Sequence, residues 1–96
     1  MAPHIEPRQS FSEECDRWQA AVVRAVKTMR TASRPRLRVR VLAQRLGLSF
    51  WEYYNMERGH SKMTAPELFA IARAIGCSYQ VMCAEVVRSF ERGPET

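Results

Sequence analysis

The chain has 96 residues, with 15 Lys and Arg against 10 Asp and Glu, which gives a formal net charge of +5. This length suits one small domain and leaves little room for a catalytic pocket, and no apolar run approaches the roughly 20 residues that span a bilayer. No signal sequence is apparent, so we expect a cytoplasmic protein that is not an enzyme and has no cofactor. Cys15, Cys77 and Cys83 show no metal-ligand spacing with His4 or His60, which predicts no metal site and three small buried residues.

The basic residues are concentrated in one stretch of the chain. Between residues 17 and 51 there are nine Lys and Arg and no Asp or Glu. Such a stretch is typical of a surface that binds phosphate groups. A solvated basic face, or a face that binds an acidic protein, would have the same composition.

The N-terminal third predicts an arm, a long helix and a connector. Residues 1–9 contain two prolines and no hydrophobic period, which predicts a flexible arm before the domain at 10–92. A first helix is expected to begin near Ser10 to Ser12 and to end near Thr31. Its apolar face, at helical spacing, consists of Trp18, Val22, Ala25, Val26 and Met29. Residues 32–40, with Pro35 and alternating arginines, predict an exposed basic connector.

Residues 42–59 predict two short helices joined by a turn. Gly47 can adopt the left-handed conformation that ends the second helix. Ser49 and Glu52 have the spacing of a capping box at the start of the third helix, where the acid serves as a cap rather than as a reader of bases. Tyr53 and Met56 are expected to turn inward. The apolar face of the second helix consists of Leu42, Ala43 and Leu46.

The C-terminal part of the chain predicts two further helices. Thr64 begins the fourth helix and Gly76 ends it, and Ser78 begins the fifth, which is followed by a tail at 93–96. The fifth helix has a wide apolar stripe formed by Met82, Cys83, Val86, Val87 and Phe90. No strand pattern of period two is present, so the sequence predicts an all-α fold of five helices.

Four sequence blocks have the order and spacing of a known family pattern. They are Leu42-Ala43, Leu46-Gly47-Leu48-Ser49, Glu57-Arg58-Gly59, and Leu68 to Ile75-Gly76-Cys77-Ser78. Together they resemble the phage-repressor (Cro and XRE-type) DNA-binding family over roughly residues 26–87. The resemblance implies a lambda-repressor-like bundle in which helices 2 and 3 form a helix-turn-helix. It also implies a sequence-specific transcriptional regulator, most often a repressor, that binds double-stranded operator DNA as a homodimer.

The resemblance assigns roles to individual side chains. In this model the third helix enters the major groove, while the segments before it contact phosphates. Base contacts are expected from Ser49, Phe50, Trp51, Tyr54 and Asn55. Phosphate contacts are expected from Arg34, Arg36, Arg38, Arg40, Arg45 and Lys62. An ion pair between Arg30 and Glu57 is expected to fix the orientation of the helices.

Two departures from the family pattern leave the target of the third helix open. Arg38 and Val39 stand where a cap and a glutamine are common, and Phe50 and Trp51 stand where a polar pair is common. The two aromatic side chains could contact DNA, bind a protein partner or pack within the chain. The alternative function is therefore a protein-interaction module on the same fold, such as an antitoxin or antirepressor.

The fifth helix is the expected dimer interface. Its apolar stripe is wider than a small core needs, and a two-fold protein binds two half-sites about one DNA turn apart. We expect Val86, Val87 and Phe90 to contribute to a homodimer, unless they only close the core of the monomer.

Overall fold

The described part of the chain folds into five α-helices. A computed structural model describes residues 7–93, in which no strand is present. The helices are α1 (Pro7–Ala32), α2 (Val39–Leu46), α3 (Phe50–Glu57), α4 (Ala65–Ile75) and α5 (Tyr79–Arg92). This arrangement confirms the predicted all-α, lambda-repressor-like fold. Residues 1–6 of the expected arm and 94–96 of the expected tail lie outside the described residues.

The first helix is longer than its apolar stripe predicts. It begins at Pro7, so residues 7–9 are helical rather than part of a flexible arm. Proline is favoured at the first helical position because the N–H group that it lacks would have no partner there. Residues 11–17 are all exposed, and α1 thus extends past the core before it packs against α5. Cys15 lies in this exposed part, and the prediction that it is buried is wrong.

The basic connector is shorter and less exposed than expected. Val39 and Arg40 already belong to the first turn of α2. Leu37 is buried, and its carbonyl oxygen accepts a hydrogen bond of 2.8 Å from Nη1 of Arg30. The connector is therefore anchored to the end of α1, which fixes where α2 begins.

The core lies where α1 packs against α3, α4 and α5, and α2 joins it through its contacts with α3 and α4. Its fully buried side chains come from all five helices and include Ala25, Val26, Leu42, Tyr53, Ile71 and Met82. The side-chain amide of Gln19 also holds the loop between α3 and α4, since it donates to the Met63 carbonyl (2.9 Å) and accepts from the Met63 N–H (3.1 Å). The segment that leaves α3 is therefore attached directly to α1.

Helices α4 and α5 meet at a sharp turn. Gly76 ends α4 with φ +99°, and Ser78 begins α5 by accepting a hydrogen bond from the Val81 N–H. None of the described helices is by itself long and apolar enough to cross a membrane; α4 and α5 meet that criterion only as a pair bent by 112°.

Candidate nucleic-acid interface

The N-terminus of α2 has no side-chain cap. Arg38 occupies the N-cap position with φ −81° and ψ 153°, and its side chain accepts no hydrogen bond from the first turn. By contrast, Ser49, Thr64 and Ser78 cap the following three helices. No described side chain therefore accepts a hydrogen bond from the first N–H groups of α2. These groups and the positive end of the helix dipole favour an external anion.

A cleft of about 460 Å³ lies beside this uncapped helix end. It is lined by Arg30, Arg36, Arg38 and Val39, and among these Arg36 and Arg38 are the exposed arginines. Guanidinium groups bind phosphate oxygens in planar, often bidentate geometry. The arrangement is therefore suited to a phosphate group at the start of α2.

The other side chains that were predicted to contact phosphates differ in whether they form hydrogen bonds within the chain. Arg34 donates to two carbonyl groups of its own connector, and Arg45 donates to the Ala74 carbonyl at the end of α4 (2.8 Å). A guanidinium group has five N–H donors, so both side chains keep donors for another acceptor. Three further cationic side chains are exposed, namely Arg36, Arg40 and Lys62.

A capping box begins α3, as the sequence predicts. The Ser49 hydroxyl accepts from the Glu52 N–H (3.1 Å), and the Glu52 carboxylate accepts from the Ser49 N–H (2.8 Å). The hydrogen bonds from Ser49 hold the pKa of Glu52 below its ordinary value. The carboxylate is thus engaged as a cap, which fixes the first turn of the helix that carries the candidate base contacts.

The two faces of α3 have separate roles. Tyr53 and Met56 are buried against the core, in agreement with the sequence prediction. Burial is the main reason that the pKa of Tyr53 is raised well above its ordinary value, so that its phenol stays neutral. Trp51 is 66% exposed, and Asn55 is also exposed. The inward residues hold the helix in place and leave the outward ones to face a ligand.

The outward aromatic side chains of α3 form one cluster. The ring centroid of Phe50 lies 5.3 Å from that of Trp51 and 5.4 Å from that of Tyr54, and Trp51 and Tyr54 lie 5.5 Å apart. Two cations flank the rings. The guanidinium carbon of Arg40 lies 5.3 Å from the centre of Phe50, and that of Arg58 lies 5.3 Å from the centre of Tyr54. Phe50, Trp51 and Tyr54 are called the aromatic cluster below.

A buried ion pair connects α1 to the end of α3. Nη2 of Arg30 lies 2.6 Å from Oε1 of Glu57, and Nε of Arg30 donates to Oε2 at 2.9 Å. Both side chains are more than nine-tenths buried. The hydrogen bond to Glu57 raises the pKa of Arg30, which therefore stays charged. Since Arg30 also binds the carbonyl of Leu37, one guanidinium group fixes α1, α3 and the connector together.

A family model described as Helix-turn-helix matches residues 36–82. The matched segment begins in the basic connector and ends within α5, and it contains all of α2, α3 and α4. Residues 36–82 belong to the phage-repressor (XRE-type) helix-turn-helix family. No curated protein and no solved structure matches the chain. The helix-turn-helix family is a DNA-binding regulatory family rather than an enzyme family, and α3 stands at the place of the recognition helix in such a domain.

The three residues of α5 that were predicted to form a dimer interface differ in how exposed they are. Val86 is buried in the core, and the Phe90 ring stacks on Trp18 with centroids 3.8 Å apart. Arg17 approaches the Phe90 ring at 4.7 Å. The burial of Val86 corrects its assignment to a dimer interface, whereas Phe90 is half-buried against Trp18 and its place in a dimer stays a prediction. Only Val87, at 44% exposure, faces outward.

The polar contacts on the buried side of α5 were missed by the sequence analysis. Glu85 and Ser89 are buried although both are polar. They lie among the apolar residues from which the core face of α5 was predicted. Ser89 accepts hydrogen bonds from Arg24 on α1, and Glu85 pairs with Arg88 at 2.6 Å. Periodicity counts only apolar residues, so it carries no signal for a buried polar side chain whose partner is on a distant helix.

Arg58 is a further residue of the candidate interface that the sequence analysis did not assign. It donates to the Tyr54 hydroxyl at 2.9 Å and lies over the same ring. Its spacing of four residues from Tyr54 is the signal that could have identified it, because side chains four apart are neighbours on a helix.

Proposed function

We propose that this protein is a transcriptional repressor that occupies operator DNA as a homodimer in the cytoplasm. The observation that carries the proposal is the uncapped N-terminus of α2, where arginines border one cleft beside an exposed recognition helix. A helix N-terminus with adjacent guanidinium groups binds a phosphate, and the recognition helix of such a domain reads bases in the major groove. The family match supports DNA binding by this domain.

In the proposed complex the outward side of α3 contacts base edges. Ser49, at its N-terminus, and Asn55, on its exposed side, supply polar groups. Asn55 can form a bidentate contact with adenine, which is the most directional contact that this helix offers. The rest of the reading surface consists of Phe50, Trp51 and Tyr54.

The basic side chains around α2 and α3 supply most of the affinity. They are Arg34, Arg36, Arg38, Arg40, Arg45 and Lys62. If they neutralise about five or six phosphates per subunit, the logarithm of the binding constant falls against the logarithm of the salt concentration with a slope near −5 per subunit. Titrations of one duplex at several salt concentrations measure this slope, and a constant affinity contradicts the electrostatic part of the proposal.

A substitution at the start of α2 should change the stability of the protein and its affinity for DNA in opposite directions. Arg38→Asp provides the missing N-cap and should raise the free energy of unfolding by about 1 kcal/mol. The same change places a negative charge where the phosphate is proposed to bind, so affinity for DNA should fall. Urea unfolding and DNA titration measure the two effects. Arg38→Ser is the matched control, because it adds a neutral cap and should stabilise the protein with a smaller loss of affinity.

Homodimerisation through α5 is proposed to involve Val87. Val87→Asp should shift the protein toward monomers in sedimentation analysis and weaken binding to a site with two half-sites. Val81→Asp is the matched control, because Val81 lies on the same helix with a similar exposure, 49% against 44%, six residues away and on a different side. Equal behaviour of the two variants would show that Val87 has no special place in a dimer.

Selection of bound sequences from a random DNA pool tests the proposed function directly. A homodimeric repressor should enrich two copies of one half-site in inverted orientation, with centres separated by about one DNA turn. Enrichment of a single half-site contradicts the homodimer, and absence of enrichment contradicts sequence-specific binding. Expression of a reporter downstream of the enriched site then tests repression.

The second candidate function is a protein-interaction module on the same fold. The high exposure of Trp51 beside two other aromatic rings favours it, since aromatic side chains are enriched in the centres of protein interfaces. In that case the cellular function is lost on Trp51→Ala and remains after Arg36→Glu combined with Arg40→Glu. A DNA-binding repressor shows the loss in the arginine variant.

A further inference from the structure

The aromatic cluster of α3 is a fixed apolar surface rather than three independent side chains. Each of its rings contacts the other two, with centroid distances of 5.3 to 5.5 Å. Aromatic pairs in offset-stacked or edge-to-face geometry stabilise one another, which limits the rotamers of all three rings. The surface is therefore formed before any ligand binds.

The surface has almost no hydrogen-bonding capacity to offer a ligand. Phe50 has no polar atom, and Trp51 has a single N–H donor. The Tyr54 hydroxyl already accepts from Arg58. With only the Tyr54 O–H and the Trp51 N–H as donors, the three side chains can read little of the donor and acceptor pattern of base pairs, although they occupy the first turns of the recognition helix.

Positive charge surrounds this apolar surface. Arg40 and Arg58 lie over two of the rings, while the Glu52 carboxylate on the same turn is held by the cap. The basic rim is complementary to phosphate groups, and the apolar surface is complementary to an apolar group that lies between those phosphates. In the major groove of DNA the only apolar group on a base edge is the C5-methyl of thymine.

We propose that the aromatic cluster recognises thymine methyl groups in the major groove, with Trp51 as the principal contact. This inference rests on the proposed function and specifies what the recognition helix reads. Burial of one methyl group favours binding roughly 4-fold, and the effect multiplies over the thymines that are contacted in two half-sites. Because the contact is apolar, the preference should not depend on salt, unlike total affinity.

Replacing thymine by deoxyuridine tests the proposal without altering the protein. Uracil lacks only the C5-methyl group, so base pairing and the hydrogen-bonding groups of the base edge stay the same. We expect the wild-type protein to bind the selected duplex roughly 4-fold more weakly for each contacted thymine that is replaced, at low and at moderate salt. Fluorescence anisotropy with labelled duplexes measures this ratio.

Two protein variants assign the effect to the cluster. Trp51→Ala should bind thymine and uracil duplexes with nearly equal affinity while it keeps the salt slope of the wild type. Phe69→Ala is the matched control, because Phe69 is an exposed aromatic residue on α4 and not on the recognition helix. This variant should keep the full preference for thymine. Circular dichroism checks that both variants retain their helices.

The possible outcomes separate this inference from the proposed function. Salt-dependent binding with equal affinity for thymine and uracil duplexes overturns methyl recognition and leaves the repressor proposal in place. A thymine preference that persists in Trp51→Ala, or selected half-sites without thymine, also overturns it. Absence of salt-dependent DNA binding overturns the proposed function itself and this inference with it.

Discussion

Reversing the charge of Arg36 and Arg40 together is expected to weaken DNA binding on the order of 100-fold at moderate salt, which corresponds to a tenfold loss for each side chain. Both residues are exposed and lie on either side of the uncapped start of α2. Arg36→Glu with Arg40→Glu removes two phosphate contacts and adds repulsion. The log–log salt slope should therefore become shallower by about 2.

The control for this experiment has the same net charge but places the change elsewhere. Lys27→Glu with Arg73→Glu alters two exposed cations on α1 and α4, outside the helix-turn-helix pair. It should lower affinity only through the general field of the protein, which salt screens within about 10 Å at 0.1 M. Equal losses in the two double variants would mean that α2 has no specific phosphate contact.

Removing the Glu57 carboxylate is expected to have the largest effect on stability. Glu57→Ala leaves Arg30 charged, buried and without its partner, which costs roughly 3–5 kcal/mol. That is a large part of the roughly 5–15 kcal/mol by which small domains are stable. Thermal and urea unfolding should show a much less stable protein, because the same guanidinium group also holds the connector through Leu37.

Glu85 provides the matched control for the buried ion pair. It is as buried as Glu57, but the side chains of its partners Arg88 and Arg92 are 63% and 49% exposed. After Glu85→Ala both arginines can return to solvent, so the loss of stability should be clearly smaller. Replacing both members of the buried Arg30–Glu57 pair, as Arg30→Met with Glu57→Leu, should restore much of the stability that Glu57→Ala loses. If the Glu57 and Glu85 variants lose the same amount, burial of an unpaired charge is not the cause.

Local signals in the sequence were sufficient to predict the order of the helices. Ser49 and Thr64 begin helices through capping boxes, and Gly47 and Gly76 end them with positive φ. Each of these signals depends on groups within a few residues of one another. They therefore require no knowledge of the tertiary structure, and together with the apolar stripes they define the fold.

Contacts between distant parts of the chain were not accessible in the same way. The burial of Leu37 depends on Arg30, and the burial of Ser89 depends on Arg24 in another helix. The three-way packing of the aromatic cluster depends on side-chain rotamers, which spacing alone does not fix. The sequence thus indicated which residues stand on the recognition helix, whereas the structure is needed to see that three of them form one surface.

The separation of roles on α3 has a consequence for how this protein can change over evolutionary time. The Glu52 cap and the inward pair Tyr53 and Met56 hold the helix, and none of these three side chains belongs to the proposed base-contacting surface. Substitutions at exposed positions without a side-chain partner, such as Asn55, typically alter stability by no more than about 0.5 kcal/mol. New target preferences can therefore arise at these positions one mutation at a time, without a compensating change in the core.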